Sequence, residues 1–102
     1  MDRQESNKFK ERAIREMFAR IAPCYDLVNC LMSWGQDSRW RRVAVRLARP
    51  GRGRVLDVAT GTGDMALELA RYTGSVIGLD LCQEMISRGQ IKTEKRGLEK
   101  RV

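Results

Sequence analysis

Apolar residues in the first half of the chain recur every three or four positions, which is the spacing of an amphipathic helix. They do so in three segments, which end before Pro23, at Gly35 and at Pro50. Proline disfavours helical backbone in the residue before it, and glycine ends helices at low steric cost. The pattern therefore predicts three helices, the third beginning after Asp37 or Ser38.

The second half carries two short apolar runs, at residues 54–59 and 75–80, each bounded by glycine-containing segments. Such runs with β-branched centres are typical of buried strands. A helical pattern follows each run, over residues 65–72 and 83–100, and Gly89 is expected to interrupt the latter. This order predicts a parallel strand pair with a right-handed crossover, an α/β fold.

Charge divides the chain in a similar place. Residues 1–54 hold 13 Lys and Arg against 6 Asp and Glu, whereas residues 55–102 are neutral, which gives a net charge of +7. We expect an N-terminal helical region at 1–50 and a βαβα unit at 51–102. The basic half suits contact with an anionic surface, either nucleic acid or lipid head groups. The alternative is that it is a solvated face that favours solubility. The Arg-rich segment 38–49 makes nucleic-acid binding a hypothesis, but no RNA or DNA motif accompanies it.

The amino-acid composition excludes several kinds of catalytic and metal-binding site. The chain has no His, which excludes His-based triads and His-containing zinc sites. Cys24, Cys30 and Cys82 lack CxxC spacing and are predicted to be free thiols, so we expect no metal site. No apolar run approaches the roughly 20 residues of a membrane span, and the first ten residues lack the apolar core of a secretion signal. These features predict a cytoplasmic protein.

The candidate ligand-binding residues lie in the loop between the first predicted strand and the helix that follows it. Gly61 and Gly63 let the chain turn sharply and let a ligand approach the backbone. Asp80 ends the second predicted strand, where a carboxylate can accept hydrogen bonds from both hydroxyls of a ribose. We therefore expect a nucleoside-containing ligand, with Asp57 orienting the loop through backbone hydrogen bonds rather than touching that ligand.

Two ligand classes fit this loop. Gly61-x-Gly63-x-x-Ala66 matches the dinucleotide fingerprint, which keeps NAD as an alternative. Asp57 and Asp64 flank the glycines, however, and an anion at the helix start would repel a pyrophosphate. S-adenosylmethionine has no phosphate and carries positive charge, so acidic flanks suit it better.

The sequence resembles the UbiE/MenG family of class I methyltransferases, which methylate quinone precursors in ubiquinone and menaquinone biosynthesis. The family's N-terminal signature is similar to MFARIAPCYDLVNCLMSWGQDSRWRR at residues 17–42. Its form of methyltransferase motif I is similar to LDVATGTGD at residues 56–64, with Ala59 where most class I enzymes carry Gly. Its second-strand motif is similar to VIGLDLCQEMI at residues 76–86, and the resemblance spans about residues 9–98.

The resemblance implies a Rossmann-like sheet and S-adenosylmethionine as cofactor. The implied cofactor-binding residues are Thr60, Gly61, Thr62, Gly63, Asp80, Leu81, Met85 and Tyr25. Asp80 would hold the ribose, and Leu81 and Met85 would lie near the adenine. Asp26 and Asn29 would lie at the substrate, a polyprenyl quinol, and Asp26 is the one candidate for a base.

The resemblance also implies further strands, so we expect the sheet to be truncated after the second strand, with an exposed face. A homo-oligomer or a complementing chain would cover that face. The alternative function is therefore an inactive remnant that acts as an oligomerising interaction module. The active enzyme would work peripherally at an anionic membrane on a benzoquinol or a naphthoquinol. Trp34 and Trp40 are expected in the core, with the apolar side of the third helix at Trp40, Val43, Ala44 and Leu47.

Overall fold

The computed structural model describes residues 2–102, which form five α-helices and two β-strands. In chain order they are α1 (Arg3–Ile21), α2 (Tyr25–Met32), α3 (Asp37–Ala48), β1 (Arg54–Val58), α4 (Asp64–Leu69), β2 (Ser75–Leu79) and α5 (Gln83–Lys95). A 3₁₀ turn at Ala22–Cys24 joins α1 to α2. The βαβα order after three N-terminal helices is as predicted.

The two strands lie parallel in one sheet. Their register runs from Arg54 opposite Ser75 to Val58 opposite Leu79. Just past the last pair, the N–H of Thr60 donates to the carbonyl of Leu79 (2.9 Å). Helix α4 crosses from one strand to the other and packs on both. This is the α/β, Rossmann-like arrangement that the sequence predicted.

Local signals set the helix ends. The Asp2 carboxylate accepts from the backbone N–H of Glu5 (2.7 Å), and the Glu5 carboxylate accepts from that of Asp2 (3.4 Å), which forms a capping box for α1. Gly97, at a φ of +67°, follows the end of α5. The expected interruption at Gly89 is wrong, since α5 runs unbroken through it and ends at Lys95.

Two small clusters of buried side chains hold these elements together. The first joins α3, α4 and β2 and consists of Val45, Ala66, Leu69, Ala70 and Val76. The second joins the 3₁₀ turn to α5 and consists of Ala22, Cys82 and Met85, with Phe18, Ala19, Ile21 and Tyr25 packed against it. The second cluster anchors the N-terminal helices beside the end of β2.

The two tryptophans are not in the core, which corrects the expectation. Trp34 is 91% exposed and Trp40 is 58% exposed. Helix α3 buries Val45 instead of the predicted side at Val43 and Leu47. The reason is that α3 packs chiefly on α4, which covers only a narrow stripe of its surface.

One face of the sheet is uncovered. Its side chains are each more than half exposed: Leu56, Val58, Ile77 and Leu79. They alternate along the strands with residues that face α4, because successive side chains of a strand point to opposite faces. The sheet therefore presents an apolar surface to its surroundings, as expected.

Cys24 and Cys30 are exposed and Cys82 is buried, and all three are free thiols, as predicted. Cys82 belongs to the second core cluster. Within residues 2–102, no helix has the length and apolar content that crossing a membrane requires.

Candidate cofactor-binding site

The glycine loop, residues 59–63, leads from the carboxyl end of β1 to the start of α4. Gly61 and Gly63 have φ angles of +60° and +87°, a region that glycine occupies without a steric penalty. The Thr60 hydroxyl donates to the Asp57 carboxylate (2.7 Å), which fixes the start of the loop. Asp57 thus orients the loop from within β1, through a side-chain contact and not through the backbone.

The carboxylate of Asp80 joins the loop to the end of β2. One of its oxygens accepts from the backbone N–H of Gly61 (2.8 Å) and the other from that of Cys82 (2.9 Å). Each carboxylate oxygen has a second lone pair. Asp80 can therefore hold the loop and still accept hydrogen bonds from a ligand.

A cleft of about 510 Å³ opens at these strand ends. Its lining residues come from the loop, both strands, α1, α2 and the start of α5: Glu11, Ile14, Arg15, Phe18, Tyr25, Val58, Ala59, Gly61, Leu79, Asp80, Leu81, Cys82 and Met85. Small-molecule sites typically measure about 300–1,000 Å³. Ligands of parallel α/β sheets bind at the carboxyl ends of the strands, which is where this cleft lies.

The Tyr25 ring lies over the glycine loop. Its Cε1 atom is 3.5 Å from the point where a Cβ atom on Gly61 would be. Five of the predicted cofactor residues therefore surround one cleft: Tyr25, Gly61, Asp80, Leu81 and Met85. Any side chain at position 61 would meet the tyrosine ring and would also strain the backbone.

The other predicted site residues lie elsewhere. Thr60 and Gly63 border a second cavity of about 400 Å³, between the glycine loop and α5. Thr62 lies within the loop and is buried. Asn29 is half-buried on α2 and is not among the residues that line the cleft.

Asp26 belongs to an ion-pair cluster under the loop. Its carboxylate accepts from the Thr62 hydroxyl (2.6 Å) and from the Lys92 ammonium (2.5 Å). Lys92 also donates to Thr62 (3.0 Å) and to the Asp64 carboxylate. A guanidinium nitrogen of Arg41 lies 3.7 Å from the other carboxylate oxygen of Asp64. The cluster ties α2, α3, α4 and α5 to the glycine loop.

This cluster lowers the pKa of Asp26. Burial alone would raise that pKa, but the hydrogen bonds from Lys92 and Thr62 and the charges of Lys92 and Arg41 outweigh burial. A carboxylate with a lowered pKa is a weaker base. The surroundings of Asp26 thus favour a fixed negative charge over proton abstraction.

Pairing also changes what Asp64 implies about the ligand. Its charge is compensated by Lys92 and Arg41, and Asp64 does not line the cleft. These pairs reduce the repulsion of a pyrophosphate that the sequence predicts for Asp64. Discrimination between NAD and S-adenosylmethionine depends on other observations.

Two glycines outside the loop allow elements to approach it closely. A Cβ atom on Gly89 of α5 would lie 3.0 Å from the carbonyl oxygen of Thr62. A Cβ atom on Gly78 of β2 would lie 2.9 Å from side-chain atoms of Thr60. Both glycines therefore bring backbone next to the loop, a role that the sequence pattern did not reveal.

Sequence reasoning also missed the contribution of α1. Ile14 and Phe18 lie one helical turn apart and form an apolar wall of the cleft. Their spacing predicted an apolar helix face, but nothing in it indicated where that face would dock. Lys92 gave no signal either, since a single lysine in a polar helix resembles any solvated residue.

Comparison with known proteins connects this geometry to a family. A family model described as the ubiE/COQ5 methyltransferase family matches residues 6–102. The ubiquinone/menaquinone biosynthesis C-methyltransferase UbiE of Citrifermentans bemidjiense is 54% identical over an 89-residue alignment that covers 83% of this chain and 38% of that protein. The demethylmenaquinone methyltransferase of Porphyromonas gingivalis is 43% identical over a 97-residue alignment that covers 91% of this chain and 40% of that protein.

The chain spans about two fifths of the length of the curated relatives it matches. Among solved structures, the YcgJ protein from Bacillus subtilis superposes with a TM-score of 0.56 at 26% sequence identity, over 61% of this chain and 27% of that one. The family match covers almost the whole sequence, and the identities to both relatives exceed 40%. The chain therefore belongs to the ubiE/COQ5 methyltransferase family.

Proposed function

We propose that this chain forms the S-adenosylmethionine-binding part of a C-methyltransferase of ubiquinone or menaquinone biosynthesis. The observation that carries the proposal is the Asp80 carboxylate, held against the Gly61 N–H at the mouth of a cleft at the strand ends. Family membership favours the methyl donor over NAD as the occupant of that cleft.

The residues present fit this cofactor. Asp80 retains acceptor capacity for the two ribose hydroxyls. Leu81 and Met85 offer apolar contacts beside it, which suit adenine. Gly61, with no Cβ atom, lets the methionine end approach the loop backbone beside the Tyr25 ring. We propose Thr60, Thr62 and Gly63 as residues that shape this loop from its other side.

When bound, S-adenosylmethionine supplies an electrophilic methyl group on a sulfonium sulfur. The protein's task in such an in-line displacement is mainly to orient the reactants and exclude water. Ile14 and Phe18 of α1 are suited to excluding water, because they give the cleft an apolar wall. We propose that Asp26 acts as a fixed charge, and we assign Asn29 near the quinol on family resemblance alone.

Residues 1–50 form the proposed cap over this site. Its basic charge supports contact with an anionic membrane that holds the polyprenyl quinol, because residues 1–54 carry the entire net charge of +7. Co-sedimentation with phosphatidylglycerol vesicles, but not with phosphatidylcholine vesicles, is expected. Binding of the chain to both kinds of vesicle, or to neither, would contradict this part of the proposal.

Calorimetric titration of the chain with S-adenosylmethionine, with NADH as control, tests the proposal. We expect saturable binding of the methyl donor, loss of that binding in Asp80→Ala, and no binding of NADH. NADH binding alone would overturn the assignment of the cofactor. Absence of both would leave family membership standing and remove the binding function from this chain.

A second candidate is a non-catalytic interaction module, and the open sheet face favours it. Leu56, Val58, Ile77 and Leu79 present the same apolar surface on every copy, which suits an isologous dimer. Sedimentation equilibrium distinguishes the two functions when it is combined with the titration. A dimer without cofactor binding supports the module, and a monomer that binds the cofactor contradicts it.

A further inference from the structure

Lys92 is the point at which three separate elements meet under the glycine loop. Its ammonium donates to Asp26 of α2 (2.5 Å), to the Thr62 hydroxyl of the loop (3.0 Å) and to Asp64 at the start of α4. An ammonium has three N–H donors and no acceptor. All three donors are used, each on an acceptor from a different segment of the chain.

The charges make this arrangement costly to break. The Lys92 side chain is 23% exposed, and two carboxylates lie within contact of it. Without the ammonium, Asp26 and Asp64 would share the site with only Arg41, at 3.7 Å from Asp64. Removing one partner of this ion pair leaves the other charge uncompensated, which destabilises the arrangement by an amount that the partial exposure of Asp26 limits.

The cluster also controls the shape of the loop. Thr62, between the two loop glycines, is buried, and its hydroxyl both donates to Asp26 and accepts from Lys92. On the opposite side the Gly61 N–H is bound by Asp80. The loop is thus held from both sides, by Asp80 at the cleft and by Lys92 beneath.

The same cluster holds the tyrosine that covers the loop. Tyr25 is the chain neighbour of Asp26, so the contact between Asp26 and Lys92 fixes the start of α2 next to α5. That places the Tyr25 ring against Gly61. Release of Asp26 would leave the tyrosine held by its packing on the second core cluster alone, which weakens one wall of the cleft.

We infer that Lys92 is a positioning residue, which locks the glycine loop and Tyr25 into the shape that receives the cofactor. Its effect on cofactor affinity rests on the proposed function, whereas its effect on the unliganded chain does not. An arginine cannot replace it fully, because a planar guanidinium does not direct its N–H groups to three convergent acceptors. Lys92→Arg therefore restores the charge but only part of the geometry.

The test combines hydrogen exchange of the unliganded chain with titration of S-adenosylmethionine. Lys92→Met is compared with Lys95→Met, an exposed lysine on the same helix. We expect Lys92→Met to speed amide exchange over residues 25–32 and 61–63 and to weaken binding by about tenfold or more. Lys95→Met changes neither, and Lys92→Arg falls between Lys92→Met and the unsubstituted chain.

The outcomes distinguish the positioning role of Lys92 from the proposed function. Unchanged exchange in Lys92→Met overturns the positioning role, and so does faster exchange with unchanged cofactor affinity. Faster exchange in a chain that binds no cofactor even when unsubstituted upholds the tether and overturns the proposed function. If Lys92→Met does not fold, Asp26→Ala removes the same tether with the lysine in place, and the same exchange and affinity changes are expected of it.

Discussion

The Asp80 carboxylate accepts a hydrogen bond from the Gly61 backbone N–H across 2.8 Å, although the two residues lie 19 positions apart in the chain. This contact crosses from the end of β2 to the loop after β1. It positions the loop before any ligand arrives. A ligand that binds Asp80 therefore meets a loop whose shape is already set.

Replacing Asp80 should affect both stability and binding. Asp80→Asn keeps one acceptor oxygen and replaces the other with a donor, so either Gly61 or Cys82 loses its partner. We expect a loss of about 1–3 kcal/mol in the free energy of unfolding, measured by urea denaturation. Affinity for S-adenosylmethionine should fall as well. Glu99→Gln, which changes an exposed carboxylate, is the control and should leave both quantities unchanged.

Gly89→Ala should destabilise the chain although alanine favours helices. In an unobstructed helix the change would stabilise by about 1 kcal/mol. At this position the new Cβ atom would lie 3.0 Å from the Thr62 carbonyl oxygen and 3.2 Å from its carbon, and backbone yields poorly. Overpacking of this kind costs about 1–3 kcal/mol, so we expect a lower melting temperature and weaker cofactor binding. Ser87→Ala on the exposed side of α5 should be neutral or slightly stabilising. A more stable Gly89→Ala would contradict the close packing of α5 on the loop.

Ala59→Gly should stabilise the chain, in contrast to Gly89→Ala. Ala59 has a φ of +58°, which strains any residue with a Cβ atom. Glycine relieves that strain, and we expect a gain of about 1 kcal/mol in the free energy of unfolding. Ala13→Gly in α1 is the matched control and should lose about 1 kcal/mol, because the same change there only weakens a helix. Equal changes in the free energy of unfolding at the two positions would show that the backbone of Ala59 is not strained.

The stability of the chain should depend on Asp26 in a defined pH window. Because the folded pKa of Asp26 lies below its ordinary 3.8, its contribution is present above about pH 4 and is lost as the pH falls through the folded pKa. Asp26→Asn should therefore be less stable than the unsubstituted chain at pH 7, and the difference should disappear once the pH is below the folded pKa of Asp26. We expect no more than about 1 kcal/mol, because 41% of the side chain is exposed and water screens the pair. Urea denaturation at successive pH values measures the difference, and a gap that persists in acid would contradict the ion pair.

Sequence reasoning found what depends on local pattern. The strands, the glycine loop and the carboxylate at position 80 were predicted because periodicity, glycine and strand ends each have a local signature. Trp34 and Trp40 were misplaced because burial depends on which surfaces neighbouring elements cover. The Lys92 cluster was missed for a similar reason. Its partners are 28 to 66 residues away, and only the packing of α5 under the loop brings them together.

Mapping cofactor binding residue by residue tests the central claim most directly. Two-dimensional NMR of the ¹⁵N-labelled chain, titrated with S-adenosylmethionine, reports which amides respond. We predict saturable shifts at Asp80, Leu81 and Met85, with small ones at Gln90 and Glu94 beside the second cavity. Shifts confined to that second cavity, or none at saturating ligand, would contradict the assignment of the cleft as the site of the methyl donor.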